Sequence, residues 1–176
     1  MVIRPARPAE LPQLIDIEVS AGSWFADIGM PEIAADDPGS IGELSGYQQA
    51  GHAFVATDAH DIPVAYLLIE IHTDAVHLEQ LSVRADHARH GIGRSLIEYA
   101  DGLARDRGCS WLTLCTFADV PWNAPYYERC GFRRLPGHEL TVDLRRIRAA
   151  EASRGLDRWP RIVMRRDIRS RLSLLA

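Results

Sequence analysis

The sequence predicts a single α/β domain in which helices flank a mixed β-sheet. Short apolar runs with strand character alternate with segments whose apolar residues recur at helical spacing. The length of 176 residues suits one domain that buries a sizeable core. Neither an internal repeat nor a long linker interrupts the chain, so we predict one domain over residues 1–176.

The first half of the chain is expected to form a strand, two helices and three more strands. Residues 2–4 have strand character, and Pro8 begins a helix whose apolar stripe ends near Gly22. Ser40 precedes a second helix, which ends at Gly51. The three further strands are predicted at Ala53–Thr57, Pro63–Ile71 and residues 75–84.

The second half continues the alternation of strands and helices. A turn that contains two glycines leads into a helix that runs to Arg107, and Gly108 caps that helix. A buried strand is predicted next at Trp111–Phe117, followed by a short helix from residue 122 and a strand at residues 132–135. A helix at residues 144–153 and a last strand at residues 161–165 complete the prediction.

The composition is that of an ordinary globular protein, with 47% apolar and 25% charged residues. No apolar run approaches the length of a membrane span, and the N-terminus lacks the long apolar core of a secretory signal. The three cysteines and seven histidines do not show metal-ligand spacing, so we predict no metal. We expect a reduced, cytoplasmic protein without a membrane partner.

The charges are unevenly distributed along the chain. Residues 1–144 carry ten arginines and twenty-one acidic residues, whereas residues 145–176 carry ten arginines and three acidic residues. No aromatic residues are interleaved with these arginines in the manner of a nucleic-acid site, so we expect them to pair with the acidic body. The alternative, a nucleic-acid-associated protein, requires steeply salt-dependent DNA binding that is lost when residues 145–176 are deleted.

Residues 79–95 combine an apolar strand, a basic turn with two glycines, and the start of a helix. Gly91 and Gly93 allow main-chain N–H groups to approach an anion, and the helix N-terminus adds a positive dipole. The turn fits neither the GxGxxG nor the GxxxxGK[ST] nucleotide motif, and the chain contains no lysine. The segment therefore predicts a phosphate-binding loop of another kind.

This loop resembles the acetyl-CoA signature [QR]xxGx[GA] of the GNAT superfamily of N-acetyltransferases. Leu81-Ser82-Val83 matches the strand before the signature, and residues 88–93 match the loop, with Ala88 where the family usually has Gln or Arg. Residues 121–132 resemble the family's later Asn…Tyr-x-x-x-Gly-Phe block, in which Asn123 and Tyr127 take the places of Asn and Tyr with compressed spacing. The resemblance covers roughly residues 1–135.

The resemblance implies the GNAT fold, in which a mostly antiparallel twisted sheet is splayed between two central strands. The CoA-binding core would comprise about residues 75–135, and residues 144–168 would add a basic helix and strand. The implied activity is transfer of an acetyl group from acetyl-CoA to a primary amine by direct attack in a ternary complex. The implied CoA-binding residues are Leu81, Ser82, Val83, Arg89, His90, Gly91, Ile92, Gly93, Arg94, Ser95 and Asn123.

Acyl transfer requires a base for the amine, donors for the oxyanion and an acid for the thiolate. The resemblance assigns the donor to the main chain of Val83 and the acid to Tyr127, whose alternative role is that of a packed aromatic. Glu79 and His77 alternate on one strand face, and either can be the base. We favour Glu79 slightly; the other residue would then pair with an arginine or accept a hydrogen bond.

Trp24 and Phe25 lie in a segment broken by glycine and proline and are candidates for the acceptor site. Acidic residues nearby would attract a cationic amine; equally, this segment can be a solvated loop over the core. The acceptor would be a small-molecule or peptide amine. Homodimers are frequent in the family, and a strand edge near residues 161–165 offers one route. The alternative function is a non-catalytic acyl-CoA-binding regulatory module.

Overall fold

The computed structural model describes residues 1–168 of the chain. Seven strands and six α-helices are present in this part, joined by short 3-10 turns. The strands are β1 Val2–Pro5, β2 Ala53–Thr57, β3 Pro63–Ile71, β4 Ala75–Val83, β5 Trp111–Phe117, β6 Arg133–Arg134 and β7 Arg161–Asp167. The helices are α1 Leu11–Gly22, α2 Pro31–Ala34, α3 Ile41–Gln49, α4 Ile92–Asp106, α5 Ala124–Arg129 and α6 Val142–Ser153.

The strands form a mixed sheet in the order β1-β2-β3-β4-β5-β7-β6. Pairs β1/β2, β2/β3, β5/β7 and β6/β7 are antiparallel, whereas β4 and β5 are parallel. The parallel ladder joins Ala75–Leu78 to Trp111–Leu114 and stops there, although β4 continues to Val83 and β5 to Phe117. This mixed sheet with flanking helices confirms the predicted fold class.

The chain divides into two compact units, each built from separate stretches of sequence. The first comprises Met1–Ile69 and Glu79–Tyr99, and the second comprises Glu70–Leu78 and the described residues 100–168. Strands β3 and β4 and helix α4 each contribute residues to both units. Assignment of the whole chain to a single domain therefore stays a prediction.

The core of the first unit lies between helices α1 and α3 and strands β2 and β3. All five residues of β2 are buried, which explains why this strand is a continuous apolar run. Ser40 begins α3 with a capping box, because its hydroxyl accepts from the Glu43 N–H and the Glu43 carboxylate accepts from the Ser40 N–H. The buried cluster contains Ala6, Leu11, Leu14, Ile17, Leu44, Ala53, Val55, Tyr66 and Leu68.

The second unit contains several buried ion pairs. Asp101 accepts from Arg166 at 3.0 Å and also pairs with Arg105. Arg166 belongs to the arginine-rich segment, so its contact with Asp101 agrees with the expected pairing between that segment and the acidic body. Glu151 of α6 contacts both Arg148 and Arg161. Arg169 and Arg171 lie outside the described residues.

Several element boundaries differ from those predicted. Strand β6 has only two residues, helix α6 starts two residues earlier than expected, and the last strand extends to Asp167. Thr141 explains the earlier start of α6, because its hydroxyl accepts from the Leu144 N–H at 3.3 Å. The prediction of an exposed strand edge near residues 161–165 is wrong at Met164 and Arg165, because these residues of β7 pair with β6.

No helix within residues 1–168 is long and apolar enough to cross a membrane.

Candidate active site

A short loop connects the end of β4 to the start of α4 in the first unit. Gly91 has φ of 79°, a left-handed conformation that glycine adopts without steric cost, and a Cβ built there would meet no atom within 4 Å. The Ser95 N–H donates to the Gly91 carbonyl at 3.0 Å and closes the first turn of α4. The N–H groups before Ser95 have no intrahelical acceptor, so the loop and helix end can hold an anion.

Basic side chains surround this loop. Arg89, His90 and Arg94 are exposed, and Arg89 itself has a left-handed φ of 64°. The Arg89 guanidinium lies over the Trp24 ring, with 5.7 Å between its carbon and the ring centroid. The structure thus brings together one residue predicted for CoA binding and one predicted for the acceptor.

A hydrogen-bonded network that is not predicted from the sequence lies beside β4. The buried Tyr66 hydroxyl donates to Glu18 Oε2 at 2.7 Å, and the Ser82 hydroxyl accepts from Gln80 Nε2 at 2.8 Å. Burial and the Glu18 charge raise the pKa of Tyr66 well above its usual value, while hydrogen bonds to Ser82 and Gln80 oppose this shift. The network therefore links α1 to the strand that carries Ser82.

One signal for this network was present in the sequence. Glu18 lies four residues after Leu14 and seven after Leu11, so it occupies the apolar stripe of α1. A carboxylate at such a position requires a hydrogen-bond donor. Tyr66, in the apolar run of β3, likewise requires a partner for its hydroxyl.

The two base candidates differ in their surroundings. His77 is 1% exposed, and its Nδ1 lies 2.9 Å from the Thr113 hydroxyl. Desolvation, with a further contribution from the His72 charge, lowers the pKa of His77 from 6.5 to about 3. His77 is therefore neutral at physiological pH and enclosed, whereas Glu79 is only half-buried.

Tyr127 is half-buried on helix α5 in the second unit. Its ring makes edge contacts with Tyr126 and Phe132, at centroid distances of 5.5 and 5.7 Å. Burial, with a contribution from the Cys130 charge, raises the pKa of Tyr127. The phenol therefore keeps its proton, as a general acid must before it donates.

Asn123 immediately precedes α5, and its side-chain amide donates to the Thr116 hydroxyl at 2.8 Å. This bond ties the start of α5 to strand β5. The side chain that was expected to contact CoA thus also has a partner within the protein.

The predicted acceptor residues Trp24 and Phe25 are half-buried in the 3-10 turn Ser23–Ile28, which follows α1. Of the acidic residues near them, Glu18 alone is half-buried; the exposed ones are Asp27, Glu32, Asp36 and Asp37. Residues 1–168 contain no group of three or more His, Cys, Asp or Glu side chains arranged to hold a metal ion.

A protein-family model and a curated protein that are similar to this chain are both acetyltransferases. Residues 19–132 match the family model described as the acetyltransferase (GNAT) family. The N-alpha-acetyltransferase 40 of Saccharomyces cerevisiae is 34% identical over an alignment of 92 residues, which covers 48% of this chain and 32% of the yeast protein. The matched part thus spans about a third of that relative.

Solved structures share the fold at low sequence identity. The ribosomal-protein-S18-alanine N-acetyltransferase from Escherichia coli has a TM-score of 0.65 and 21% identity, covering 96% of this chain and 94% of its own. The PaiA N-acetyltransferase from Thermoplasma acidophilum, in complex with coenzyme A, has a TM-score of 0.69 and 15% identity, covering 94% and 98%. A GNAT-family acetyltransferase from Staphylococcus aureus has a TM-score of 0.72 and 13% identity, covering 96% and 99%.

Proposed function

Because this chain belongs to the GNAT acetyltransferase family, we propose that it transfers an acetyl group from acetyl-CoA to a primary amine by direct attack in a ternary complex. The observation that carries the proposal is the loop between β4 and α4, which lies within the family match. Left-handed Gly91, the N-terminus of α4 and the side chains of Arg89 and Arg94 together suit a pyrophosphate. The remaining CoA assignments transfer from the family motifs.

In this proposal acetyl-CoA supplies a thioester as an activated acyl group. The Val83 N–H donates to the carbonyl oxygen as it gains negative charge. Glu79 accepts the proton of the amine, the C–N bond forms and the C–S bond breaks, and Tyr127 gives its proton to the departing sulfur. Glu79 takes the base role in preference to His77 because His77 is buried and bonded to Thr113.

Binding of acetyl-CoA tests the loop. Gly91 and Gly108 have similar left-handed φ values of 79° and 71°, and a Cβ on either would meet no atom within 4 Å. Replacing either with valine costs a similar strain, about 1 to 2 kcal/mol or more. We expect Gly91→Val to weaken acetyl-CoA binding about tenfold in a calorimetric titration, a loss of about 1.4 kcal/mol.

Gly108→Val serves as the matched control and should bind acetyl-CoA like the unchanged protein. Equal affinities of the two variants would contradict the role of the loop. If the unchanged protein does not bind acetyl-CoA, the proposed function is contradicted. Binding without transfer to any amine would favour the alternative of a regulatory acyl-CoA-binding module.

The acid role of Tyr127 is tested by removing its hydroxyl. We expect Tyr127→Phe to lower kcat about 100-fold, the usual contribution of general acid catalysis, with little change in acetyl-CoA affinity. Tyr126→Phe is the matched control, since Tyr126 is the adjacent half-buried tyrosine. An unchanged rate in Tyr127→Phe would remove Tyr127 from the acid role and leave it as a packed aromatic.

The proposed acceptor is an amine of a small molecule or a peptide. Two of the proteins compared above are named as an N-alpha-acetyltransferase and a ribosomal-protein-S18-alanine N-acetyltransferase. A screen for the acceptor should therefore include peptides with unmodified N-termini alongside small amines. The homodimer and the cytoplasmic location stay predictions.

A further inference from the structure

Glu18 differs from the buried acidic residues of the molecule in lacking a basic partner. Glu10, Asp101 and Glu151 each contact at least one arginine. Within residues 1–168, Glu18 contacts no arginine or histidine, and its hydrogen bonds come from neutral donors. Its negative charge is half-buried and not balanced by a positive charge of the described protein.

The Glu18 carboxylate is nevertheless held in place from two sides. Its Oε2 atom accepts from the Tyr66 hydroxyl at 2.7 Å and from the Gly39 N–H at 3.4 Å. Both bonds go to the same oxygen, and Oε1 accepts no hydrogen bond from the residues that the structure describes. A fixed carboxylate with one unengaged oxygen is suited to a cation.

The same tyrosine connects Glu18 to the strand assigned to the thioester. Ser82 and Gln80, which are hydrogen-bonded to each other, act on the Tyr66 hydroxyl and oppose the rise of its pKa, and Ser82 is buried in the Leu81-Ser82-Val83 segment. One side chain therefore separates the Glu18 carboxylate from that segment. A group bound at Glu18 would belong to the acceptor, because the phosphates of CoA are themselves negative.

We propose that Glu18 recognises a second positive charge on the acceptor and that Tyr66 positions the carboxylate for this contact, an inference that depends on the proposed acetyltransferase function. The charge is a second one because the attacking amine must be neutral. A carboxylate in lasting contact with that amine would favour its protonated form. The acceptor class is thus an amine that carries a further ammonium or guanidinium group.

The test uses the full chain saturated with CoA, which lacks the acetyl group and prevents turnover. It is titrated with two pairs of probes that differ by one positive charge. One pair is 1,4-diaminobutane and 1-aminobutane; the other is a tripeptide amide with arginine at its second position and the same peptide with glutamine there. We expect the charged member of at least one pair to bind about tenfold more tightly.

Glu18→Gln should abolish this preference without weakening the less charged probe, because the amide oxygen still accepts from Tyr66. Asp16→Asn, at an exposed acid of α1 two residues before Glu18, is the matched control and should retain the preference. With acetyl-CoA and the charged acceptor, Tyr66→Phe should raise KM about threefold and leave kcat unchanged, as expected of a positioning residue. If Tyr66 acted in folding alone, its replacement would not raise KM while kcat stays the same.

The inference is overturned if the unchanged protein shows no charge preference, or if Glu18→Gln keeps it. Failure of the proposed function is a separate result, namely no binding of CoA or no acetyl transfer. If CoA does not bind, the same titrations on the chain alone still decide whether Glu18 selects the charged probe.

Discussion

His77 and Glu79 show how neighbours on one strand acquire different chemistry. Both residue types can act as bases, and their alternation on β4 left the choice between them open. Thr113 and His72 enclose His77, whereas Glu79 is half-buried. The difference arises from β5, which pairs beside His77, and such a contact is not visible in the local sequence.

The lowered pKa of His77 makes folding stability depend on pH. Its value is about 3 in the folded protein and near 6.5 when unfolded, so the unfolded chain takes up the proton first. Between these pH values His77 should cost about 1.4 kcal/mol of stability per unit of acidification. Urea unfolding at pH 7.5, 6 and 5 should show that the free energy of unfolding falls less on acidification in His77→Gln than in the unchanged protein.

His60→Gln provides the control for this measurement, because His60 is exposed in the turn between β2 and β3. It should keep the pH dependence of the unchanged protein. If His77→Gln loses stability on acidification as steeply as His60→Gln, the burial argument for His77 fails.

Among the secondary-structure elements, helix α6 and strand β7 are joined by the carboxylate of Glu151. The Glu151 side chain is 7% exposed and contacts Arg148 of its own helix and Arg161 at the start of β7. Removing the carboxylate takes a buried acidic partner away from the Arg161 guanidinium, whereas Arg148 still contacts Asp157. We expect Glu151→Gln to lower the free energy of unfolding by about 3 kcal/mol, measured with urea.

Glu128→Gln is the comparison for this change, since Glu128 pairs with Arg134 where both side chains are well exposed. Its loss of stability should be clearly smaller. Equal losses in the two variants would mean that burial of the Glu151 pair does not determine its contribution.

Local signals explain which elements and site residues could be predicted. The capping box at Ser40 and the left-handed glycine at Gly91 act within a few residues, so their elements were found. The 3-10 turn Ser23–Ile28 and helix α2 were not predicted, because that segment lacks a clear period. The Glu18–Tyr66 bond joins residues 48 apart, and only the fold brings them together.

For the molecule as a whole, several arginines of the basic segment form ion pairs within the protein, and a nucleic-acid partner stays the alternative hypothesis. The net charge is −4, yet ten arginines lie in residues 145–176. Arg148, Arg161 and Arg166 contact acidic side chains at half-buried or buried positions. Such pairs leave these guanidinium groups less available to phosphates.

The ion pairs of residues 1–168 all use arginine or histidine as the cation, and the 176 residues contain no lysine. A lysine ammonium loses its charge when it is acetylated, and the ion pair it makes is lost with it. A guanidinium stays protonated at physiological pH and is a poor nucleophile toward a thioester. In the proposed function, the protein thus handles a reactive acyl donor without exposing its own ion pairs to that chemistry.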